Sequence, residues 1–97
     1  MTFIPRQNPD GNWQIQMSEI PFLDEGRTKG SYNVLSARLL GLSYPDYLKY
    51  CRAQHGGIIK KSKGYPYCVF KEKANCSRVC GLLNTEWRKV ERFLKGV

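Results

Sequence analysis

This 97-residue chain lacks the sequence patterns of a membrane span, a signal peptide and a catalytic centre. No apolar run approaches the roughly 20 residues of a membrane span. The first residues, MTFIPRQNPDG, have neither the basic start nor the apolar centre of a signal peptide. These absences predict a cytoplasmic protein that does not contact a membrane and whose cysteines are reduced.

Groups that carry out catalysis are also scarce. The chain has one histidine, His55, and no glycine-rich loop that would hold a phosphate. Cys51 lies four residues before His55, so the two side chains share a helix face and form a nucleophile–base pair in principle. No acidic residue follows at a suitable place. The sequence therefore predicts a protein that is not an enzyme and that has no cofactor.

The spacing typical of structural zinc sites, two cysteines separated by two residues, does not occur either. Instead, Cys51–His55 and Cys76–Cys80 each place two candidate ligands one helical turn apart, and Cys68 lies between the pairs. Three cysteines and a histidine suit zinc. Because cysteine also behaves as a small apolar residue, buried free thiols are the main prediction, and a zinc-stabilised scaffold is an alternative.

Basic residues, by contrast, are abundant and unevenly placed. The net charge is +8, and hydrophobic and aromatic contents of 41% and 12% are ordinary for one globular domain. Residues 1–46 have four basic and five acidic residues, whereas residues 47–97 have twelve and three. Residues 49–78 alone contain eight basic residues and one acid. This asymmetry is typical of a protein that binds a polyanion, and a solubilising surface is the alternative.

The N-terminal sequence predicts a β-hairpin. Residues 3–7 and 12–17 flank Asn8-Pro9-Asp10-Gly11, a type I turn sequence. Every second residue of the second arm is apolar, which indicates a half-buried strand, and Pro5 indicates that the first arm is an edge strand. Residues 24–32 are predicted to form a mobile loop.

Residues 33–52, NVLSARLLGLSYPDYLKYCR, have the pattern of a helix-turn-helix. Gly41 supplies the left-handed backbone of a short turn between helices predicted at 32–40 and 44–54. Ser43 is the expected N-cap of the second helix, with Asp46 three residues later.

The second helix of such a unit commonly enters the DNA major groove. On this interpretation Tyr47 and Tyr50 pack inward, and the residues near DNA are Ser43, Tyr44, Lys49 and Arg52. Because the helix is apolar around much of its circumference, an ordinary buried helical hairpin is the alternative.

A second hairpin is predicted next, with arms at 58–61 and 65–70 and a turn at 62–64. Cations and aromatic rings alternate around its tip, a composition that holds phosphates and stacks unpaired bases. The alternative is that the lysines protect an exposed sheet edge. The candidate residues are Lys60, Lys61, Lys63 and Tyr65 with Tyr67, and a further cluster of Lys71, Lys73 and Arg78.

A final helix is predicted from residue 73 or 74 to 95. Gly81 and Asn84 weaken the helical pattern, so a break at these residues is the alternative to a continuous helix. Its apolar stripe covers the domain's own core or forms a dimer seam, so the protein is predicted to be a monomer or a homodimer. The stripe consists of Val79, Leu83, Trp87, Val90 and Leu94.

The runs GLSYPDYLKYCRAQHGG, KGYPYCVFKEK and LLNTEWRKVERFL resemble small uncharacterised proteins of bacteriophages and bacterial mobile elements. The resemblance spans residues 39–87. It implies an origin and a helix-turn-helix-like core, and it assigns no catalytic or binding residue.

The sequence thus predicts one α+β domain with three helices and two β-hairpins, resembling a winged helix-turn-helix. Its parts are the hairpin at 1–20, the helical unit at 32–56, the basic hairpin at 57–72 and the last helix at 73–95. The predicted function is non-enzymatic nucleic-acid binding, DNA rather than RNA, by a phage or mobile-element regulator. The alternative is a protein-binding module that uses its basic surface on an acidic partner, for example as an anti-defence inhibitor of a host enzyme.

Overall fold

The computed structural model describes residues 2–17 and 28–96, with the backbone alone for residues 28–31. The described chain forms four strands and three helices. In chain order these are β1 (Phe3–Gln7), β2 (Trp13–Met17), α1 (Thr28–Leu39), α2 (Tyr44–His55), β3 (Gly57–Ser62), β4 (Tyr65–Phe70) and α3 (Lys73–Lys95). The fold is therefore α+β, with the elements that the sequence predicts. Two strands precede the first helix, so the order of the elements does not by itself establish a winged helix.

Both hairpins belong to one antiparallel sheet with the strand order β1-β2-β4-β3. Strand β1 is an edge strand, as Pro5 predicts. The two hairpins meet at a single register pair, Trp13 opposite Phe70. Beside this junction the Cys68 N–H donates to Asn33 Oδ1 of α1 at 3.3 Å. The Cys68 N–H thus bonds to a helix side chain, whereas in a longer β2–β4 pairing it would bond to the backbone of β2.

The core lies between the sheet and the three helices. From the sheet come Phe3, Ile15, Met17, Cys68 and Phe70, and from the helices Tyr32, Ala37, Tyr47, Leu48, Cys51, Cys76, Val79, Cys80 and Leu83. The sequence predicts that β2 is buried on one face only. Gln14 and Gln16 are nevertheless buried too, in an interior strand of the sheet.

The turn between α1 and α2 is formed as predicted. Gly41 has φ +71°, and the N–H groups of Gly41 and Leu42 donate to the carbonyls of Arg38 at 3.0 Å and Ala37 at 2.9 Å. This pair of bonds is the Schellman motif that ends a helix at a left-handed residue. Ser43 Oγ then accepts the Asp46 N–H at 3.3 Å and begins α2.

One prediction for this region is wrong. Residues 28–32 are helical and belong to α1, although the sequence suggests a mobile loop over residues 24–32. The remaining residues, 24–27, lie outside the described part of the chain. Glycine and serine in the first turn lower helix propensity, so local sequence gives little sign of this helix start.

Helix α3 extends from Lys73 to Lys95, as predicted, and it is continuous through Gly81 and Asn84, where the sequence left a break open. Asn84 instead joins the helix to β1: the Phe3 N–H donates to Asn84 Oδ1 at 2.6 Å, and Asn84 Nδ2 donates to the Phe3 carbonyl at 3.0 Å. The predicted apolar stripe enters the core at Val79 and Leu83. Trp87, which is partly buried, also packs against the core, whereas Val90 is 38% and Leu94 65% exposed, so the stripe covers the core only as far as Trp87.

At Gly57, the first residue of β3, the backbone of the second hairpin packs closely against α2. A Cβ atom at this residue would lie 2.5 Å from Cys68 Sγ and 3.1 Å from the carbonyl carbon and oxygen of Cys51. No side chain fits there unless the buried thiol or the helix backbone moves. Glycine is therefore required by packing at this position, whereas at Gly41 it is required by backbone conformation.

We expect Gly57→Ala to lower the free energy of unfolding by about 3 kcal/mol, because the added methyl group overpacks the core. Gly41→Ala should lower it by about 1 kcal/mol, since a left-handed residue is strained but no atom lies within 4 Å. The control is Gly81→Ala in α3, where nothing lies within 4 Å and alanine should stabilise the helix by about 0.5–1 kcal/mol. Urea unfolding followed by far-UV circular dichroism measures all three. Equal losses for Gly57→Ala and Gly41→Ala would contradict the packing argument.

Candidate nucleic-acid interface

The outer side of α2 is arranged largely as the helix-turn-helix pattern predicts. Ser43, Lys49 and Arg52 are exposed, and Tyr47 is fully buried. Tyr50 is half-buried and packs edge-to-face against the His55 ring at a centroid distance of 4.9 Å. The exposed side of α2 therefore offers a serine hydroxyl and two cations to a partner.

Tyr44 differs from this prediction because it is half-buried and already bonded within the protein. Its hydroxyl donates to the carbonyl oxygen of Pro66 in β4 at 2.5 Å. Burial, together with the nearby Cys68 thiol, raises the pKa of Tyr44, so the hydroxyl keeps the proton that it donates. Tyr44 thus attaches the first turn of α2 to the second hairpin near its tip.

The hairpin tip is a two-residue turn with positive φ at both central positions, +52° at Lys63 and +85° at Gly64. Such a turn matches the twist of the strands that it connects. Tyr65, directly after the turn, is 75% exposed, whereas Tyr67 is only 9% exposed. Of the two tyrosines predicted to stack on bases, Tyr65 alone presents its ring to solvent.

Lys60 does not act together with the other lysines of the tip. Its Nζ lies 3.1 Å from Asp10 Oδ2, in the turn of the first hairpin. The Asn12 N–H and the Lys60 ammonium both bond to Asp10 and hold the pKa of its carboxyl below the usual value. Lys61 follows Lys60 in β3 and so points to the opposite face of the sheet. The cations of the tip are therefore Lys61 and Lys63.

The second predicted cluster, Lys71, Lys73 and Arg78, is separate from the tip. Strand β4 lies between them, and its six residues span about 20 Å. Lys73 Nζ lies 5.3 Å from the centre of the Trp13 ring, a cation–π contact. Arg78 Nη1 donates to Asn75 Oδ1 at 3.2 Å, while Lys71 is exposed. This cluster does not extend the positive region of the tip.

All four cysteines are free and buried, which confirms the main prediction of buried free thiols. The neighbouring Cys68 thiol lowers the pKa of Cys51, whereas the neighbouring Cys51 thiol together with burial raises the pKa of Cys68. The neighbouring Cys80 thiol and burial likewise raise the pKa of Cys76. Within residues 2–17 and 28–96, no group of three or more histidine, cysteine, aspartate or glutamate side chains is placed to hold a metal ion. A zinc-stabilised scaffold therefore has no support from the candidate ligands Cys51, His55, Cys76 and Cys80.

A further group of cations, not among those predicted from the sequence to bind nucleic acid, lies on α3. Arg88, Arg92 and Lys95 are exposed, and they line one side of the helix with Glu91 between them. Their spacing of four and three residues, readable from the sequence, places them on one helix face. Within the described residues, exposed cations thus lie on α2 and the hairpin tip, at the start of α3 and at the end of α3, as well as at single positions elsewhere.

The chain matches no protein-family model, no curated protein and no solved structure. The resemblance to phage and mobile-element proteins therefore stays a prediction. Over the described residues, none of the helices has both the length and the apolar character needed to cross a bilayer.

His55 should make stability depend on pH. The ring is 7% exposed, and within the described chain neither of its nitrogens has a hydrogen-bond partner. Burial and the positive charge of Arg78 lower its pKa below the ordinary 6.5. Between the folded and the unfolded pKa values the unfolded chain binds the extra proton, so the free energy of unfolding falls as pH drops below about 6.5.

Because His55 is the only histidine, His55→Phe should flatten this dependence between pH 7 and 5.5. Urea unfolding at a series of pH values measures the effect. The prediction fails if the variant loses as much stability over this range as the wild type does.

Proposed function

We propose that this protein binds nucleic acid without catalysing a reaction, through the exposed side of α2 and the tip of the β3–β4 hairpin. The observation that carries the proposal is the bond between the Tyr44 hydroxyl and the Pro66 carbonyl. It holds the first turn of α2 beside the tip, so that the two parts act as one surface. Lys49 and Arg52 follow along α2, about 7 and 12 Å beyond Tyr44.

The charges of this surface support the proposal. Lys49, Arg52, Lys61 and Lys63 are all exposed, and Asp46 is the exposed acid of α2. Lysines on a flexible stem meet phosphates as point charges, whereas arginine is able to contact guanine through two hydrogen bonds. Affinity would therefore come mainly from phosphate contacts, with modest sequence reading by Arg52.

The order of elements within residues 28–70 supports duplex DNA as the partner. A helix, a four-residue connection, a second helix and a hairpin follow one another, as in a winged helix-turn-helix. The extra hairpin β1–β2 precedes them. An α-helix fits the major groove of B-form DNA, whereas the major groove of A-form RNA is too narrow. Together with the sequence resemblance, this favours a DNA-binding regulator of a phage or mobile element.

Replacing Lys61 and Lys63 by alanine should weaken binding and reduce its salt dependence. Each phosphate contact to duplex DNA contributes about 0.9 to the slope of log K against log salt, so the double variant should lose about 1.8. Fluorescence anisotropy with duplex DNA, single-stranded DNA and RNA probes at several salt concentrations measures the slope.

The control is the double variant Lys71→Ala/Lys95→Ala, which removes the same charge away from the tip. Its slope should change much less. If both double variants change the slope equally, affinity follows net charge and the tip has no special role. If no probe binds, the acidic protein surface becomes the better candidate partner, because the same cations pair with carboxylates.

Tyr65→Ala should weaken binding of single-stranded probes by roughly 5-fold or more, because stacking of a base on an aromatic ring is worth about 1–3 kcal/mol. Tyr65→Phe keeps the ring and should bind like the wild type. Duplex probes, whose bases are already stacked, should be affected less. Equal losses for the alanine and phenylalanine variants would assign the effect to the hydroxyl instead of the ring.

A further inference from the structure

A second stripe runs along α3, beside the apolar stripe that enters the core. Leu82, Glu86, Lys89 and Phe93 are separated by four, three and four residues, the spacing of a coiled-coil seam. Leu82 is 39% and Phe93 71% exposed. The side chains of Glu86 and Lys89 are 36% and 63% exposed. This seam therefore faces outward, unlike the side of α3 that carries Val79 and Leu83.

The order of chemical types along the seam reads apolar, acidic, basic, apolar. Glu86 Oε1 and Lys89 Nζ are 3.1 Å apart, so the two charges already lie together at its centre. If a second copy were related to the first by a twofold axis between residues 87 and 88, each apolar end of the seam would face the other apolar end of the partner. Glu86 would then face the partner's Lys89. The seam is thus complementary to a reversed copy of itself.

We propose that a second copy of this chain packs against the seam, with the two α3 helices antiparallel. Leu82 then contacts the partner's Phe93, and Glu86 pairs with the partner's Lys89. The twofold axis generates each of these contacts twice, as in any interface made by the same patch on both subunits. Two apolar pairs enclose two ion pairs.

Charge selects this orientation over the parallel one. In a parallel pair Glu86 would face the partner's Glu86, and Lys89 the partner's Lys89, which repel. In the antiparallel pair Arg92 lies opposite the partner's Thr85, so no like charges meet beside the seam. An anionic surface or an acidic peptide fits less well, because it would place negative charge against Glu86. The seam spans only three turns, so the dimer is weak and reversible.

Charge reversal tests the pairing in the free protein. Sedimentation equilibrium across a wide range of concentrations should show a monomer–dimer equilibrium for the wild type. Glu86→Lys alone, or Lys89→Glu alone, places like charges together twice and should weaken dimerisation by about tenfold or more. The double variant Glu86→Lys/Lys89→Glu restores both pairs in reverse and should return dimerisation to near the wild-type value.

Two controls separate the seam from general effects. Lys95→Glu changes the charge as Lys89→Glu does, but on another side of α3, and should leave dimerisation nearly unchanged. Phe93→Glu should abolish dimerisation while far-UV circular dichroism stays that of the wild type, because the side chain is mostly exposed. A wild type that is monomeric at every concentration, or a double variant as weak as the single variants, would overturn the proposal. Since nucleic acid is absent throughout, the result is independent of the proposed function.

Discussion

The attachment of α2 to the β3–β4 hairpin at both of its ends is the constraint on which the candidate interface depends. Towards the C-terminal end, the Cys68 thiol and the backbone of Cys51 occupy the space that a side chain at Gly57 would need. At the N-terminal end, the Tyr44 hydroxyl bonds to the Pro66 carbonyl. The two attachments, at Tyr44 and Cys51, lie about 10 Å apart along the helix axis and fix both the position and the direction of α2. The cations on its outer side therefore keep a defined relation to those of the hairpin tip.

Several of the lysines interact with other groups of the same chain. Lys60 pairs with Asp10, Lys73 covers the Trp13 ring, and Lys89 pairs with Glu86. A net charge of +8 thus overstates the charge that a partner meets at any one place. What remains exposed is divided among separate regions, and the proposed interface uses the one that combines two elements with an exposed aromatic ring.

Features set by neighbouring residues could be predicted from the sequence. The left-handed turn at Gly41, the cap at Ser43 and the two hairpin turns each depend on a few adjacent side chains, and all are present. The joining of both hairpins into one sheet could not be predicted, because it depends on one register pair between residues 57 positions apart.

In the candidate site, too, local features could be predicted from the sequence and contacts between distant residues could not. Helical spacing correctly placed Lys49 and Arg52 on the outside and Tyr47 inside. It gave no sign that Asp10, fifty residues away, would pair with Lys60, or that Trp13 would lie beneath Lys73. Composition detected the cations, whereas their distribution between internal and external partners depends on tertiary contacts.

The amide of Asn84 occupies both backbone groups of Phe3, across 81 residues of sequence. During synthesis, β1 and β2 leave the ribosome long before Asn84 exists, and a two-stranded hairpin alone is only marginally stable in water. Strand β1 therefore acquires this helix neighbour only after 81 further residues have been synthesised. Until α3 has formed, the backbone N–H and carbonyl of Phe3 lack the partner that they have in the folded protein, so the start of the sheet is completed by a residue of α3.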